Sequence, residues 1–313
     1  MENSGIKISG TGSYAPSNIV TNDELAKSVN TSAEWIYENL GIRQRHIVED
    51  ELTSDLAYKA AERAIQAAGI NKDEIDLIIV ATSTPDRKAP STACIVKNKL
   101  GIKNHCPAFD LAAVCSGFVY SLNLAATQIQ MKICKKILVI GADTFSTITD
   151  WERRDCVFFG DGAGAVILEP AVDESFYYGS SFSETTSVDN FTVFPSDTTF
   201  TMNANAVFET GSKVLPEAIN KVVTDAGLGV NDIDCIIPHQ PSKRLLIKTA
   251  ENLGLDFSLI KTNMEFYANT SGGTVPILLD ETVRAGLVKA GDIVVFAAVG
   301  SGWTWSASVM KWS

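Results

Sequence analysis

Four short stretches carry residue types that could do chemistry together. Cys115 sits among small neighbours, Ala112-Ala113-Val114-Cys115-Ser116-Gly117, between an apolar run of strand type (Ala108, Phe109, Leu111) and a helical pattern through Phe118, Leu122, Ala125 and Ile129. A thiol at a strand-to-helix turn meets free backbone N–H groups and the positive end of the helix dipole, which favour the nucleophilic thiolate. His239 stands in Pro238-His239-Gln240-Pro241, directly after the buried run Ile233–Ile237, where a strand end can reach a cleft. Asn269 lies in Tyr267-Ala268-Asn269-Thr270-Ser271-Gly272-Gly273, and Gly300-Ser301-Gly302 can present backbone N–H groups to an oxyanion. Converging on one site, these groups would support nucleophilic attack on a carbonyl. Taken singly, each has a plainer reading: a buried structural cysteine, a satisfied imidazole, a turn asparagine.

The elements that must position them are those of a soluble α/β protein. The 313 residues suffice for about two domain-sized cores. A net charge of −11 and a pI near 4.8 argue against a nucleic-acid partner. No apolar run reaches the ~20 residues of a membrane span, and Met-Glu-Asn-Ser-Gly lacks the features of a signal peptide, so a cytoplasmic location is expected. The six cysteines (94, 106, 115, 134, 156, 235) show no C-x-x-C spacing, and the three histidines (46, 105, 239) are far apart. Neither a disulfide framework nor a metal site is indicated.

In chain order, Ile6–Ser9 alternates like a strand, and Gly10-Thr-Gly12-Ser-Tyr-Ala15 reads as a tight turn rather than a dinucleotide fingerprint, since Pro16 follows at once. Thr21 to Glu24 caps a short helix, and Thr31 to Glu34 has capping-box spacing. Gly41 to His46 reads as a solvated turn carrying Arg43 and Arg45. Thr53-Ser54-Asp55 caps a helix that Gly69 ends. Ile75–Ala81 and Lys136–Gly141 are buried strands, with a loop at 82–90 and a helix from Ser91 to Leu100. Val157–Phe159 and Ala165–Leu168 read as two short strands, with the glycine-rich turn 160–164 between them serving close backbone packing.

The second half repeats the first. Gly69 to Gly227 and Ile75 to Ile233 are both offsets of 158, Ile137 to Ile293 is 156, and Phe109–Gly117 aligns loosely with Glu265–Gly273 at 156. Two βαβ-rich halves packed with pseudo-two-fold symmetry follow, with a boundary between Pro170 and Ser187. We take residues 1–172 as the half bearing the cysteine and 173–313 as the half bearing the histidine and asparagine. Residues 189–212, including Pro195, Asp197 and Thr198, read as an insertion.

The pieces Ala113-Val-Cys115-Ser-Gly-Phe118, Phe159-Gly-Asp-Gly-Ala-Gly164, Pro238-His239-Gln240, Ala268-Asn269-Thr-Ser271 and Gly300-Ser-Gly-Trp-Thr-Trp305 resemble those of the β-ketoacyl-acyl carrier protein synthase III family. Glu34-Trp35-Ile36 and Gly41-Ile-Arg43 match it too, so the resemblance runs in order over nearly the whole chain. It implies the thiolase fold, a duplicated α/β arrangement in five αβαβα layers, usually as a homodimer paired through a central edge strand. It also implies that Cys115 accepts an acyl group and that the N–H groups of Cys115 and Ser301 form the oxyanion hole. His239 and Asn269 would then steady the enolate of malonyl-acyl carrier protein as carbon dioxide leaves. Acyl-CoA and acyl carrier protein are the implied partners; no metal or redox cofactor is implied, since coenzyme A arrives with the substrate.

By the same resemblance Trp35 and Arg154 would flank the adenine, and Arg244, clustered with Lys243 and Lys248, would meet the carrier or a coenzyme A phosphate. The chain departs from the family pattern at four places. Ser301 replaces a middle glycine, Pro241-Ser242 replaces Ala-Asn, and Asn39 replaces an arginine. Ala89 replaces the bulky aromatic that gates the partner's acyl pocket, from which a primer larger than acetyl is expected. A condensing enzyme or acyltransferase of specialised metabolism with an unusual starter unit is the alternative. Serine at Ser83, where a hydroxymethylglutaryl synthase needs glutamate, argues against that relative. An inactive structural partner is opposed by the intact Cys115, His239 and Asn269.

Overall fold

The computed structural model of the chain describes residues 5–171, 175–185, 188–193 and 197–313. The first four residues, the expected boundary at 172/173 and Pro195 lie outside the described residues. The first half runs β1 (Ile6–Tyr14), β2 (Ile19–Thr21), α1 (Asn22–Leu25), α2 (Ala33–Leu40), β3 (Gln44–His46), α3 (Thr53–Ala68), β4 (Leu77–Ala81), α4 (Thr92–Leu100), β5 (Ala108–Leu111), α5 (Gly117–Gln130), β6 (Ile137–Thr144) and β7 (Asp161–Pro170). The second runs β8 (Tyr177–Ser183), β9 (Phe191–Thr192), β10 (Thr201–Met202), α6 (Ala204–Asp225), β11 (Cys235–Pro238), α7 (Lys243–Leu253), α8 (Met264–Tyr267), α9 (Thr274–Arg284), β12 (Ile293–Gly300) and β13 (Thr304–Lys311).

The duplication is plain in the sheets. One has the order β1-β7-β6-β4-β5 and the other β8-β13-β12-β11, with the same parallel and antiparallel neighbours. Where β5 flanks β4, the second half has a lone parallel bridge, Ile236 to Ile260, beside β11. Because strand side chains alternate, each sheet feeds two cores. Ile79, Val139, Ile237 and Phe296 point inward onto Phe118 and Leu122 of α5 and Leu278 and Leu279 of α9. Ile78 and Val80 face α3 and α4, while Val295 and Val309 face α6 and α7. The result is five layers: α3 and α4, a sheet, α5 and α9, a sheet, α6 and α7.

Several local expectations need correction. Gly10 and Gly12 form no turn; they lie inside β1, which α3 crosses so closely that a Cβ would stand 2.4 Å from Ala64 O and 2.4 Å from Ala60 O respectively. Residues 160–164 likewise form no turn, for β7 runs unbroken from Asp161, and the glycines seat α9: a Cβ at Gly164 would stand 2.6 Å from Ile277 N. Ser32, not Thr31, caps α2 by accepting from Trp35 N. Leu52 is the N-cap of α3; Asp55 accepts from its N–H, and Thr53 turns inward to donate to Thr84 O.

Arg45 is not solvated. It is the middle residue of β3, whose pairing with β2 turns it fully inward to donate to Val20 O, Asn22 Oδ1 and Val157 O. Burial lowers its pKa to about 10, so it stays charged at neutral pH. The expected insertion is shorter than 189–212, because α6 already begins at Ala204. Pro216 lies inside α6 and cannot bond the carbonyl of Ser212 four residues back; Asn252 Nδ2 of α7 donates to that carbonyl instead, at 3.0 Å.

The seat of α3 gives a stability test. Gly12→Ala must displace backbone atoms and is expected to cost about 2 kcal/mol or more. Gly229→Ala, where a Cβ meets only Asp232 at 3.6 Å, should stay within about 0.5 kcal/mol. Urea unfolding midpoints check both; equal midpoints would contradict the close crossing.

Candidate active site

Cys115 occupies a single 3-10 turn, Val114–Ser116, that joins the end of β5 to the first residue of α5. Val114, just before it, is held at φ +46°, a left-handed position that costs a β-branched residue about 1–3 kcal/mol. This bend sets the thiol at the mouth of the turn, with Sγ 3.6 Å from Ser271 Oγ. The side chain is 8% exposed, and burial pushes the thiol up to about 12, against the lowering influence of Ser271 and Asn269. The expectation of a helix-stabilised thiolate is therefore overturned for the resting site: loss of water outweighs the donors around the sulfur.

β12 delivers the expected oxyanion loop. A Cβ at Gly300 would stand 3.0 Å from Ala113 O, Cys115 N and Ser116 N, so glycine is required for the strand end to lie on the cysteine turn. Ser301 Oγ donates to Phe191 O at 2.8 Å, and the left-handed position of the loop falls on Gly302 (φ +133°). The serine is thereby accommodated without the freedom that a glycine would bring.

His239 follows β11 directly, its N–H donating to Ala297 O of β12 at 2.8 Å. Its ring is buried, which lowers its pKa to about 3 and keeps it neutral. Nδ1 lies 2.7 Å from Thr274 Oγ1. Asn269 is held at every other polar point: its N–H donates to Phe158 O, its C=O accepts from Gly160 N, and its Oδ1 accepts from Ser271 N at 2.8 Å. That last bond fixes the amide orientation and leaves Nδ2 as the group for the cavity. Cys115, His239, Asn269 and Ser301 line one cavity, otherwise walled by Val114, Phe159, Phe191, Met202, Phe208, Val299 and Trp303. An apolar pocket with a few converging donors is the usual form of a small-molecule site.

The outer residues fall into two pairs. Arg154 lies over the Trp35 ring at 4.0 Å, and Arg244 reaches Asn39 Oδ1 at 3.5 Å while standing 5.7 Å from the Phe208 ring. Lys248 pairs with Glu251 on the exposed face of α7. Pro241 and Ser242 line the cavity, and Ser242 also caps α7, accepting from Leu245 N. Ala89 is exposed in the 82–90 loop and does not line the cavity of its own chain.

Sequence reasoning missed three contributors. Asp143, an acid in a fully buried strand, accepts from Thr82 Oγ1, Ser83 N, Thr84 N and Thr84 Oγ1 on one oxygen and from Gly272 N on the other. Ser271 and Thr274 touch the nucleophile and the histidine. The acid within an apolar run was the only local signal of the first; the other two looked like ordinary turn residues.

Comparison with known proteins agrees with this geometry. The model of 3-oxoacyl-[acyl-carrier-protein] synthase III matches residues 109–186, and that of its C-terminal region matches 223–312. A β-ketoacyl-[acyl-carrier-protein] synthase III of Neisseria meningitidis is 43% identical, covering 98% of this chain and 99% of that one. One of Clostridium acetobutylicum is 42% identical at the same coverage. The crystal structure of 3-oxoacyl-[acyl-carrier-protein] synthase III from Aquifex aeolicus superposes with a TM-score of 0.96 at 37% identity, over 98% of this chain and 100% of that one.

Fold and site define an acyltransferase of the thiolase fold. Within that class, the chain belongs to the β-ketoacyl-acyl carrier protein synthase III family.

The buried thiol makes a prediction. Alkylation of Cys115 by iodoacetamide is expected to rise about tenfold per pH unit through pH 9 without levelling, since only the thiolate reacts. Rates that level near pH 7 would show that the site stabilises the thiolate after all.

Proposed function

We propose that the protein performs the decarboxylative condensation of its family with Cys115 as nucleophile and His239 and Asn269 as the two donors. The sulfur attacks the carbonyl of an acyl-CoA primer, and coenzyme A leaves as its thiol with the proton that Cys115 gives up. The N–H groups of Cys115 and Ser301 receive the oxyanion, a role favoured by the packing of Gly300 on the cysteine turn. Malonyl-acyl carrier protein then loses carbon dioxide. The electron pair of the broken C–C bond becomes an enolate, whose oxygen accepts from His239 and Asn269. The enolate carbon displaces Cys115 from its acyl group as the thiolate and forms the β-ketoacyl product, and the sulfur regains the thiol by taking a proton from solvent. The observation that carries this reading is the neutral, buried His239 beside an Asn269 amide whose oxygen is already taken. A neutral imidazole still donates, so no loss of condensation from His239 protonation is expected down to about pH 5.

In this reading the half 1–172 brings the nucleophile and 173–313 the donors. Coenzyme A is substrate, and the reaction needs neither metal nor redox cofactor. Trp35 and Arg154 are stacked on each other at 4.0 Å, so the two faces must part to take an adenine between them, and Arg244 is suited to meeting an acidic carrier on an otherwise acidic protein. We assign the partner subunit to the free side of β5, which ends its sheet and leaves Phe109 exposed. Ala89 would then gate the partner's pocket, and its small side chain leaves room for a primer longer than acetyl. Six free cysteines suit a reducing, cytoplasmic compartment. Relatives 42–43% identical over the full chain are named for this reaction, which favours it over a role in specialised metabolism.

Intact mass after mixing with an acyl-CoA panel separates the steps. The parent should gain one acyl group and Cys115→Ala none. His239→Ala and Asn269→Ala should still acylate but condense about 10²- to 10³-fold more slowly. Loss of acylation in the two donor variants, or an adduct on Cys115→Ala, would reject the assignments. Light scattering should give a dimer, and Ala89→Phe should narrow the primer range toward acetyl. A parent that turns over acetyl alone would reject the gate.

A further inference from the structure

The ring of His239 is neutral and carries a single proton, so which nitrogen bears it decides whether the cavity meets a donor or a lone pair. Nδ1 is 2.7 Å from the hydroxyl of Thr274, and both side chains are buried. That hydroxyl also lies 2.9 Å from Ser271 O, and it has one hydrogen to give. If the hydrogen went to Ser271 O, Nδ1–H would donate to Oγ1 and Nε2 would face the cavity as an acceptor. If it goes to Nδ1, the ring proton sits on Nε2. Ser271 O already accepts the backbone N–H of Thr274, so turning the hydroxyl away leaves no carbonyl orphaned. Among the described residues Nδ1 has no such second partner, and its contact with Oγ1 is the shorter of the two.

We propose that Thr274 is a positioning residue that sets the tautomer of His239: its hydroxyl donates to Nδ1 and thereby makes Nε2 a donor into the cavity. The inference rests on the condensing role assigned to His239 above. Thr274 then does for the imidazole what the N–H of Ser271 does for the Asn269 amide, and one turn, residues 269–274, aims both donors.

The test combines a spectrum with a pair of variants. ¹⁵N NMR of ring-labelled parent protein should show a pyrrole-type Nε2 and a pyridine-type Nδ1 for His239; the reverse assignment overturns the proposal whatever the enzyme turns over. Thr274→Val removes the hydroxyl at nearly constant shape. It should lose about 10²-fold more in condensation than in acylation of Cys115, less than the ~10⁴-fold cost when a buried carboxylate that orients a catalytic histidine is neutralised, because a hydroxyl is the weaker partner. Thr274→Ser should recover condensation. Equal losses in both steps, or no rescue by serine, would reduce Thr274 to a packing role and overturn the proposal. Should Thr274→Val fail to fold, the parent spectrum and the serine variant still decide. A parent that shows the Nε2–H ring but does not condense would instead contradict the family reaction and leave the tautomer standing.

Discussion

A buried carboxylate that pairs with no cation among the described residues holds the site together. Asp143 lies at the end of β6, fully enclosed, and burial raises its pKa against the pull of its donors. Its two oxygens accept from two different halves of the chain: the 82–84 loop on one side and Gly272 on the other. The approach is so close that a Cβ at Gly141, two residues earlier on the same strand, would stand 2.0 Å from Gly272 O. Breaking this junction would strip one enclosed carboxylate oxygen of its backbone donor, a larger penalty than the net worth of the bond itself. The turn that bears Asn269, Ser271 and Thr274 is thus fixed to β6, in the same sheet as the strand β5 that leads to the nucleophile. Every distance in the site inherits that fixed point.

Strain and enclosure both concentrate here. Val114 (φ +46°), Ala268 (φ +55°) and Ser271 (φ +50°) are three of the four non-glycine residues with positive φ among the described residues; Val114 lines the cavity, and the other two stand within two residues of Asn269, which also lines it. Such positions persist only where surrounding packing over-determines them. The same enclosure keeps Cys115 protonated and His239 neutral. A protonated thiol resists oxidation, which follows thiolate character. The resting site is therefore chemically quiet.

Much of this was legible in the sequence because the chemistry sits in short motifs. Cys115, His239 and the 300–302 loop each stand at the end of a recognisable strand, Asn269 stands in a small-residue motif of its own, and the repeated offset placed them in matching halves. What could not be read depends on distant partners. Gly272 meets Asp143 from 129 positions away and His239 meets Thr274 from 35. Gly10 and Gly12 look like a turn until α3 is laid across them. Arg45 defeated the reading because a strand of three residues is too short to reveal an inward-facing period. The thiol's pKa went the other way from the local argument because the dipole is a local feature and burial is a global one.

Helix α6 carries a further consequence through Pro216. With the carbonyl of Ser212 held by Asn252 rather than by its own helix, the two lengths of α6 have separate anchors. The segment before the proline supplies Ala204, Val207 and Phe208 to the cavity wall, and the segment after it buries Ala218, Ile219, Val222 and Val223 in the outer core. One helix therefore divides its labour between recognition and folding. Substitutions that reshape the pocket can accumulate on the leading turns while the trailing turns keep the core intact, so that the choice of acyl group can drift in evolution at little cost to the fold.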